Sequence, residues 1–138
     1  MAEPEPAGAR IDDLLAEVRR RLPHRPTADE VPALLARDAL IVDIRPSEQR
    51  CRDGGFDGAV VVDRNVLEWR LDPTSPDRIP EVTDTDREVV VVCNEGYASS
   101  LAALSLQQLG YFRATDLAGG IQAVLHPDRS GSDGSGGA

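Results

Sequence analysis

The chain is short of the residues on which several common chemistries depend. Among its 138 residues are two cysteines, Cys51 and Cys93, and two histidines, His24 and His126. Two cysteines are too few for a disulfide scaffold, and the four residues show no zinc-type spacing, so no metal is expected. Aromatic residues make up 4% of the sequence, so the core must be aliphatic. No apolar run approaches the roughly 20 residues of a membrane-spanning helix, and the opening MAEPEPAGAR lacks the basic and apolar regions of a secretory leader. A reduced, cytoplasmic setting without membrane attachment is the expectation. Positive charge is also in deficit, with 15 basic against 24 acidic residues and a formal net charge of -9, which disfavours nucleic acid or an anionic membrane as partner.

What is present reads as an ordinary globular composition, 41% hydrophobic and 28% charged. The length suits one α/β core and is too short for two. Residues 1–25 are expected to be a loose arm followed by an amphipathic helix, residues 26–126 the folded domain, and residues 127–138 a flexible tail of linker composition.

Ile11, Leu14, Leu15, Val18 and Leu22 follow helical spacing and predict a helix over 10–22 that stops near Pro23. Its Arg19, Arg20 and Arg21 are assigned to a solvated face. A short helix follows, with Asp29 favoured over Thr27 as its N-cap, and ends near Arg37. Strands are predicted at 40–44, 59–62, 89–92 and 114–117, and helices at a Pro46-started segment, at 99–109 and at 120–125. In the helix over 99–109, Leu101, Leu104, Leu106 and Leu109 are expected against the core. Arg64 to Leu71 reads as a short helix and 72–85 as loop. Trp69 is assigned to the core in preference to the site entrance, and Glu68 with Arg70 to a surface pair.

Strands and helices alternate without an internal repeat, which predicts a mostly parallel sheet with helices on both faces. Ligands of such folds bind beyond the carboxyl ends of the strands, a rule that selects Asp43-Ile44-Arg45 and the segment from Cys93 to Ala98. Cys93 follows a continuous β-branched run and precedes a helix, with Asn94, Glu95, Gly96 and Tyr97 between. A short strand-to-helix loop with a central glycine can turn successive N–H groups inward, a cradle for an anion such as a thiolate or a persulfide. A cysteine near a glycine, taken alone, reads more readily as a small buried apolar residue.

Four motifs in order add to this. Leu40-Ile41-Val42-Asp43-Ile44-Arg45, Gly55-Phe56-Asp57-Gly58-Ala59, Val89 to Ser99 (VVVVCNEGYAS) and Leu117-Ala118-Gly119-Gly120-Ile121 resemble, in sequence and spacing, the rhodanese-like (sulfurtransferase) domain family over about residues 26–125. The resemblance implies that Cys93 accepts sulfane sulfur as a persulfide, with Asn94, Glu95, Gly96, Tyr97, Ala98 and Ser99 as the anion-binding loop. It implies no cofactor. The partners expected are a small-molecule sulfur donor and a thiol acceptor, which a protein thiol could also supply.

The sequence departs from the family in one informative way. Active members often carry arginine or lysine in this loop, at positions matching Asn94 and Ala98, whereas this loop has no cation and contains Glu95. A carboxylate there would repel an anionic donor such as thiosulfate. Arg45 and Arg64 are the compensating cations expected at the same rim, with Asp43 in a supporting role and Arg45 alternatively paired with it. Tyr97 is expected as a wall or lid of the pocket and not as an acid. Cys51 is a weak candidate for resolving a Cys93 persulfide. Three functions compete: a sulfurtransferase; a binding or regulatory module on the same fold, favoured by Glu95 and the cation-free loop; and a phosphatase or arsenate reductase, disfavoured because Ser99 and Ser100 stand where a loop-closing arginine is needed.

Overall fold

The computed structural model describes residues 10–130. Four strands, Leu40–Asp43 (β1), Ala59–Val61 (β2), Val89–Val92 (β3) and Ala114–Asp116 (β4), form one sheet in the order β2-β1-β3-β4. Every pairing is parallel. The two central strands are buried at every position, as continuous apolar runs covered on both faces should be.

Among the described residues seven α-helices accompany the sheet: Ile11–Arg21 (α1), Val31–Ala36 (α2), Ser47–Asp53 (α3), Leu67–Leu71 (α4), Ala98–Gln108 (α5), Gly120–Leu125 (α6) and Pro127–Ser130 (α7). Side chains alternate across β1 and β3 and so build two cores. On one face Leu40, Val42, Val89 and Val91 pack with Leu67 and Leu71 of α4 and Ala102, Ala103 and Leu106 of α5. On the other, Ile41, Val90 and Val92 pack with Leu34 of α2, Leu117, and Ile121 of α6. This is the α/β sandwich expected from the alternating pattern. Because all strands run the same way, Asp43, Val92 and Asp116 end on one rim, and Arg45, Cys93 and Leu117 follow there.

Several local expectations are corrected. Thr27, not Asp29, is the N-cap: it precedes the single turn Ala28–Glu30, and the Glu30 carboxylate accepts from the Thr27 N–H at 3.0 Å, a capping box that Asp29 cannot make. Of the leucines expected against the core in α5 and just after it, Leu106 is buried and Leu109 packs half-buried on the core, whereas Leu101 and Leu104 are half-buried and the rest of the buried face is Ser99, Ser100, Ala102 and Ala103. Small residues let α5 lie close to the sheet. Trp69 is 59% exposed, because the buried positions of the five-residue α4 are its ends, Leu67 and Leu71. Glu68 pairs with Arg64 and not with Arg70, whose guanidinium donates to the Asp77 carbonyl. The linker composition expected from residue 127 contains one helical turn, α7. The expected arm over 1–9 and tail over 131–138 lie outside the described residues.

Leu106 is fully buried at the centre of the α5 face. Leu106→Ala should therefore lower unfolding stability by about 2–5 kcal/mol, measured by denaturant titration.

Candidate active site

β3 ends at Val92, and the chain turns through Cys93 to Tyr97 into α5. The turn needs a left-handed residue, which Gly96 supplies with φ of 92°. A Cβ at Gly96 would lie 2.8 Å from the Gly119 amide nitrogen, so the position excludes side chains on two grounds. With the loop so curled, the Cys93 Sγ accepts the Gly96 N–H at 3.1 Å and the Ser99 N–H at 3.4 Å. The thiol in turn donates to Ser99 Oγ at 3.1 Å. The thiol is 7% exposed. The inward-turned amides expected around Cys93 are thus those of Gly96 and of Ser99 in the first turn of α5.

Behind the thiol lies Asp116, wholly buried at the end of β4. Its carboxylate accepts from Ser99 Oγ at 2.7 Å, from Ser100 Oγ at 2.8 Å, and from Arg25 through Nε at 2.7 Å and Nη2 at 3.2 Å. Since the single Ser99 hydroxyl hydrogen goes to Asp116, the Ser99 oxygen is left to accept the Cys93 S–H. Two guanidiniums meet the outside of the loop. Arg19 donates from Nη2 to the Gly96 carbonyl at 2.7 Å and from Nε to Ser100 Oγ at 3.2 Å, and Arg25 Nη2 reaches the same carbonyl at 3.3 Å. Arg19 also lies over the Tyr97 ring, 5.9 Å from its centroid. Burial, and then repulsion from Arg25, pull the Arg19 pKa below its ordinary value, while Asp116, Tyr97 and Cys93 oppose that shift. Arginine stays charged throughout the working range even so.

The closing Gly119-Gly120 turn locks the loop from the other side. Gly120 has φ of 63°, and a Cβ there would sit 2.5 Å from the Asn94 carbonyl oxygen and 2.6 Å from that of Cys93. This close approach lets the Ile121 N–H donate to the Cys93 carbonyl at 2.9 Å and the Gln122 N–H to the Asn94 carbonyl at 3.1 Å.

The remaining expected residues divide. Asn94 is half-buried, and its side-chain oxygen accepts from Gln122 Nε2 at 3.0 Å. Glu95 is exposed, and its charge is felt by Arg52 of α3. Tyr97 and Ala98 line an open cleft of about 290 Å³ together with Ile11, Asp12, Leu15 and Leu101, a cleft whose lining does not include Cys93. Asp43 and Arg45 form a buried pair with Nη2 to Oδ2 at 2.8 Å, and Arg45 also donates to the Gly54 carbonyl. Arg45 is thereby a structural cation tying β1 to the end of α3, although its buried Nη1 has no hydrogen-bond partner. Arg64 is not a loop cation: it is held by Glu68 at 3.1 Å. Cys51 is an exposed free thiol on α3, and Cys93 is free and buried.

Arg19, Arg25, Ser100 and Asp116 were not expected at the site. Two of them were readable. The strand-end rule that selects Asp43 and Cys93 applies equally to Asp116. Leu15, Val18, Arg19 and Leu22 stand at i, i+3, i+4 and i+7, so the helical stripe itself puts Arg19 on the inward face. Its neighbours Arg20 and Arg21 do occupy a solvated face, around Glu17. Arg25 carries no such signal. Among the described residues no cluster of His, Cys, Asp and Glu could hold a metal ion, and no helix is long and apolar enough to cross a membrane.

A cysteine directly after a central parallel strand, cradled by the amides of a strand-to-helix loop, characterises one class of α/β domain. The sequence profile of the rhodanese-like domain matches residues 27–126, and the chain belongs to that family. A sulfurtransferase of Allochromatium vinosum is 35% identical over 86 residues, covering 62% of this chain and 71% of the relative. Among solved structures, the Rhodopseudomonas palustris protein RPA3614, described as of unknown function and a possible tyrosine phosphatase, superposes with a TM-score of 0.78 at 30% identity, covering 92% of this chain and 97% of its own. The human single-domain sulfurtransferase TSTD1 shares the fold at a TM-score of 0.60 and 24% identity, covering 73% of this chain and 94% of its own.

Gly120→Ala forces a side chain into the backbone of Cys93 and Asn94 at a left-handed position. It should destabilise the protein by about 2 kcal/mol or more, read as a lowered denaturation midpoint, whereas Gly55→Ala, with open space around its Cβ, should be nearly neutral.

Proposed function

We propose that the protein is a sulfurtransferase that carries sulfane sulfur on Cys93 as a persulfide. The observation that carries this reading is the pair of backbone donors, Gly96 and Ser99, converging on Cys93 Sγ at 3.1 and 3.4 Å. Membership of the rhodanese-like family and the likeness to a sulfurtransferase support it. In the first step the Cys93 thiolate attacks the sulfane sulfur of a small donor. A sulfur–sulfur bond forms at Cys93, and the donor's bond to that sulfur breaks, its electron pair leaving with the remainder of the donor. In the second, an acceptor thiolate or other nucleophile attacks the outer sulfur, and Cys93 departs as thiolate. Neither step needs an external oxidant or a cofactor. The loop amides stabilise the negative charge on sulfur in the thiolate and the persulfide, the same service an oxyanion hole gives an oxygen.

The competing reading, a binding or regulatory module, draws on Glu95 and the cation-free loop. Both arguments weaken against the geometry. Glu95 is exposed, so solvent screens its charge, and Arg19, which has no carboxylate among its hydrogen-bond partners, brings positive charge to the loop from outside it. The phosphatase reading requires a guanidinium closing the loop from its own helix, where this chain has Ser99 and Ser100.

Intact-mass measurement of the reduced protein after exposure to thiosulfate, 3-mercaptopyruvate or a low-molecular-weight persulfide tests the proposal. Wild type should gain the mass of one sulfur, removable by cyanide, and Cys93→Ser should gain none. Failure of every donor on wild type would leave the binding module as the better account.

A further inference from the structure

We propose that Arg19, which precedes the family-matched segment, is a positioning residue for the anionic group of the sulfur donor, acting through the Gly96 peptide and through its own charge. This deepens the sulfur-transfer reading and rests on it for the identity of the ligand. The family match begins at residue 27, yet two guanidiniums upstream of it contact the Cys93 loop. They differ in what they leave free. Arg25 is committed to the buried Asp116 carboxylate through two nitrogens. Arg19 has no carboxylate partner among its hydrogen bonds, which go to a carbonyl and a hydroxyl, so its charge is not cancelled in a direct ion pair. It is part-buried, and its charge interacts with Cys93.

The grip on Gly96 has a second effect. A trans peptide holds its C=O and N–H antiparallel. With the Gly96 carbonyl drawn toward Arg19 and Arg25, the N–H of Tyr97 in the same peptide unit faces the other way, toward the concave side where the Gly96 and Ser99 amides meet Sγ. An anion beside Sγ is then met by backbone N–H groups and by the positive field of Arg19 behind the loop. The preferred ligand is a small tetrahedral oxyanion bonded to sulfane sulfur, of which thiosulfate is the simplest. α1 is on this account part of the site: Leu15, Val18 and Leu22 are buried, and this anchored stripe carries Arg19 to the loop. Arg19 acts in place of the cation that the loop lacks.

The test is calorimetric titration of thiosulfate, and separately of inorganic phosphate, into full-length Cys93→Ser protein, which binds without turnover. Adding Arg19→Gln should weaken thiosulfate by about tenfold or more, through loss of the positive field behind the loop and of the charged grip on the Gly96 carbonyl. Arg19→Lys should fall between the two. Arg20→Gln makes the same charge change on an exposed residue paired with Glu17, and should leave affinity as it was. Equal affinity in the Arg19→Gln and parent proteins overturns the proposal, as does absence of binding to the parent at millimolar thiosulfate. Phosphate binding more tightly than thiosulfate overturns the assignment to a sulfur donor and points to the phosphate chemistry. Should Arg19→Gln fail to fold, Arg19→Met carries the test: it keeps an unbranched apolar stem and loses the charge and the fork that spans Gly96 and Ser100, and an unchanged affinity for thiosulfate, together with an unchanged kcat/KM in the protein that retains Cys93, overturns the proposal. The two readings fail separately. Without sulfur gain on wild type from any donor, the sulfur-transfer function fails even where anion binding depends on Arg19. With sulfur gain from thiosulfate that is as fast in Arg19→Gln as in wild type, only the role of Arg19 fails.

Discussion

A carboxylate with no solvent must be surrounded by donors, and Asp116 meets that demand with Ser99, Ser100 and two nitrogens of Arg25. The arrangement of the site follows from this requirement. Ser99 and Ser100 are the second and third residues of α5, so satisfying Asp116 fixes the start of that helix against the end of β4. Arg25 belongs to the segment after α1, so the same carboxylate draws the amino-terminal segment along the β4 edge. There the Pro26 carbonyl accepts the Ala118 N–H at 2.9 Å and the Pro23 carbonyl accepts the Thr115 hydroxyl at 3.2 Å. Ser99, pinned by Asp116, presents its N–H and its oxygen to Cys93.

The loop is therefore held by its surroundings more than by its own side chains. Gly120 and the first turn of α6 fix the Cys93 and Asn94 carbonyls, and Arg19 and Arg25 fix that of Gly96. With these carbonyls engaged on the outside, the amides of the loop are left to the inside. Such preorganisation matters for an anionic sulfur: donors already in place need no rearrangement when charge arrives. It also explains how a loop without an arginine of its own can stand in a positive field. The charge comes from α1 and the segment after it, at a distance in sequence of 77 residues for Arg19 and Gly96.

Much of this was legible in the sequence because it depends on local rules. The β-branched run of β3, the glycine after Cys93 and the Gly119-Gly120 turn are single-segment signals, and they located the sheet, the loop and its closure. Helix starts were harder where two caps compete, as at Thr27 and Asp29, since the choice turns on whether Glu30 can reach back. The α5 face was legible only in part: Leu106 and Leu109 do meet the core, but close approach to the sheet fills the rest of the face with serine and alanine in place of Leu101 and Leu104. The cations were misplaced for a different reason. Arg45 and Arg64 stand near strand ends, but each has a carboxylate within its own segment, Asp43 and Glu68, and local pairing won. Arg19 and Arg25 reach the site only through tertiary packing, which no local rule for basic residues contains.

The central claim is that the amides of Gly96 and Ser99 hold the sulfur charge. Backbone amide NMR of the protein before and after loading Cys93 with one sulfane sulfur addresses it directly, because an N–H proton that donates to a new anion moves downfield. Large downfield changes confined to Gly96, Ser99 and their loop neighbours are the predicted result. Unchanged resonances for Gly96 and Ser99 in protein shown by mass to carry the persulfide would contradict it, since the charge would then be held elsewhere.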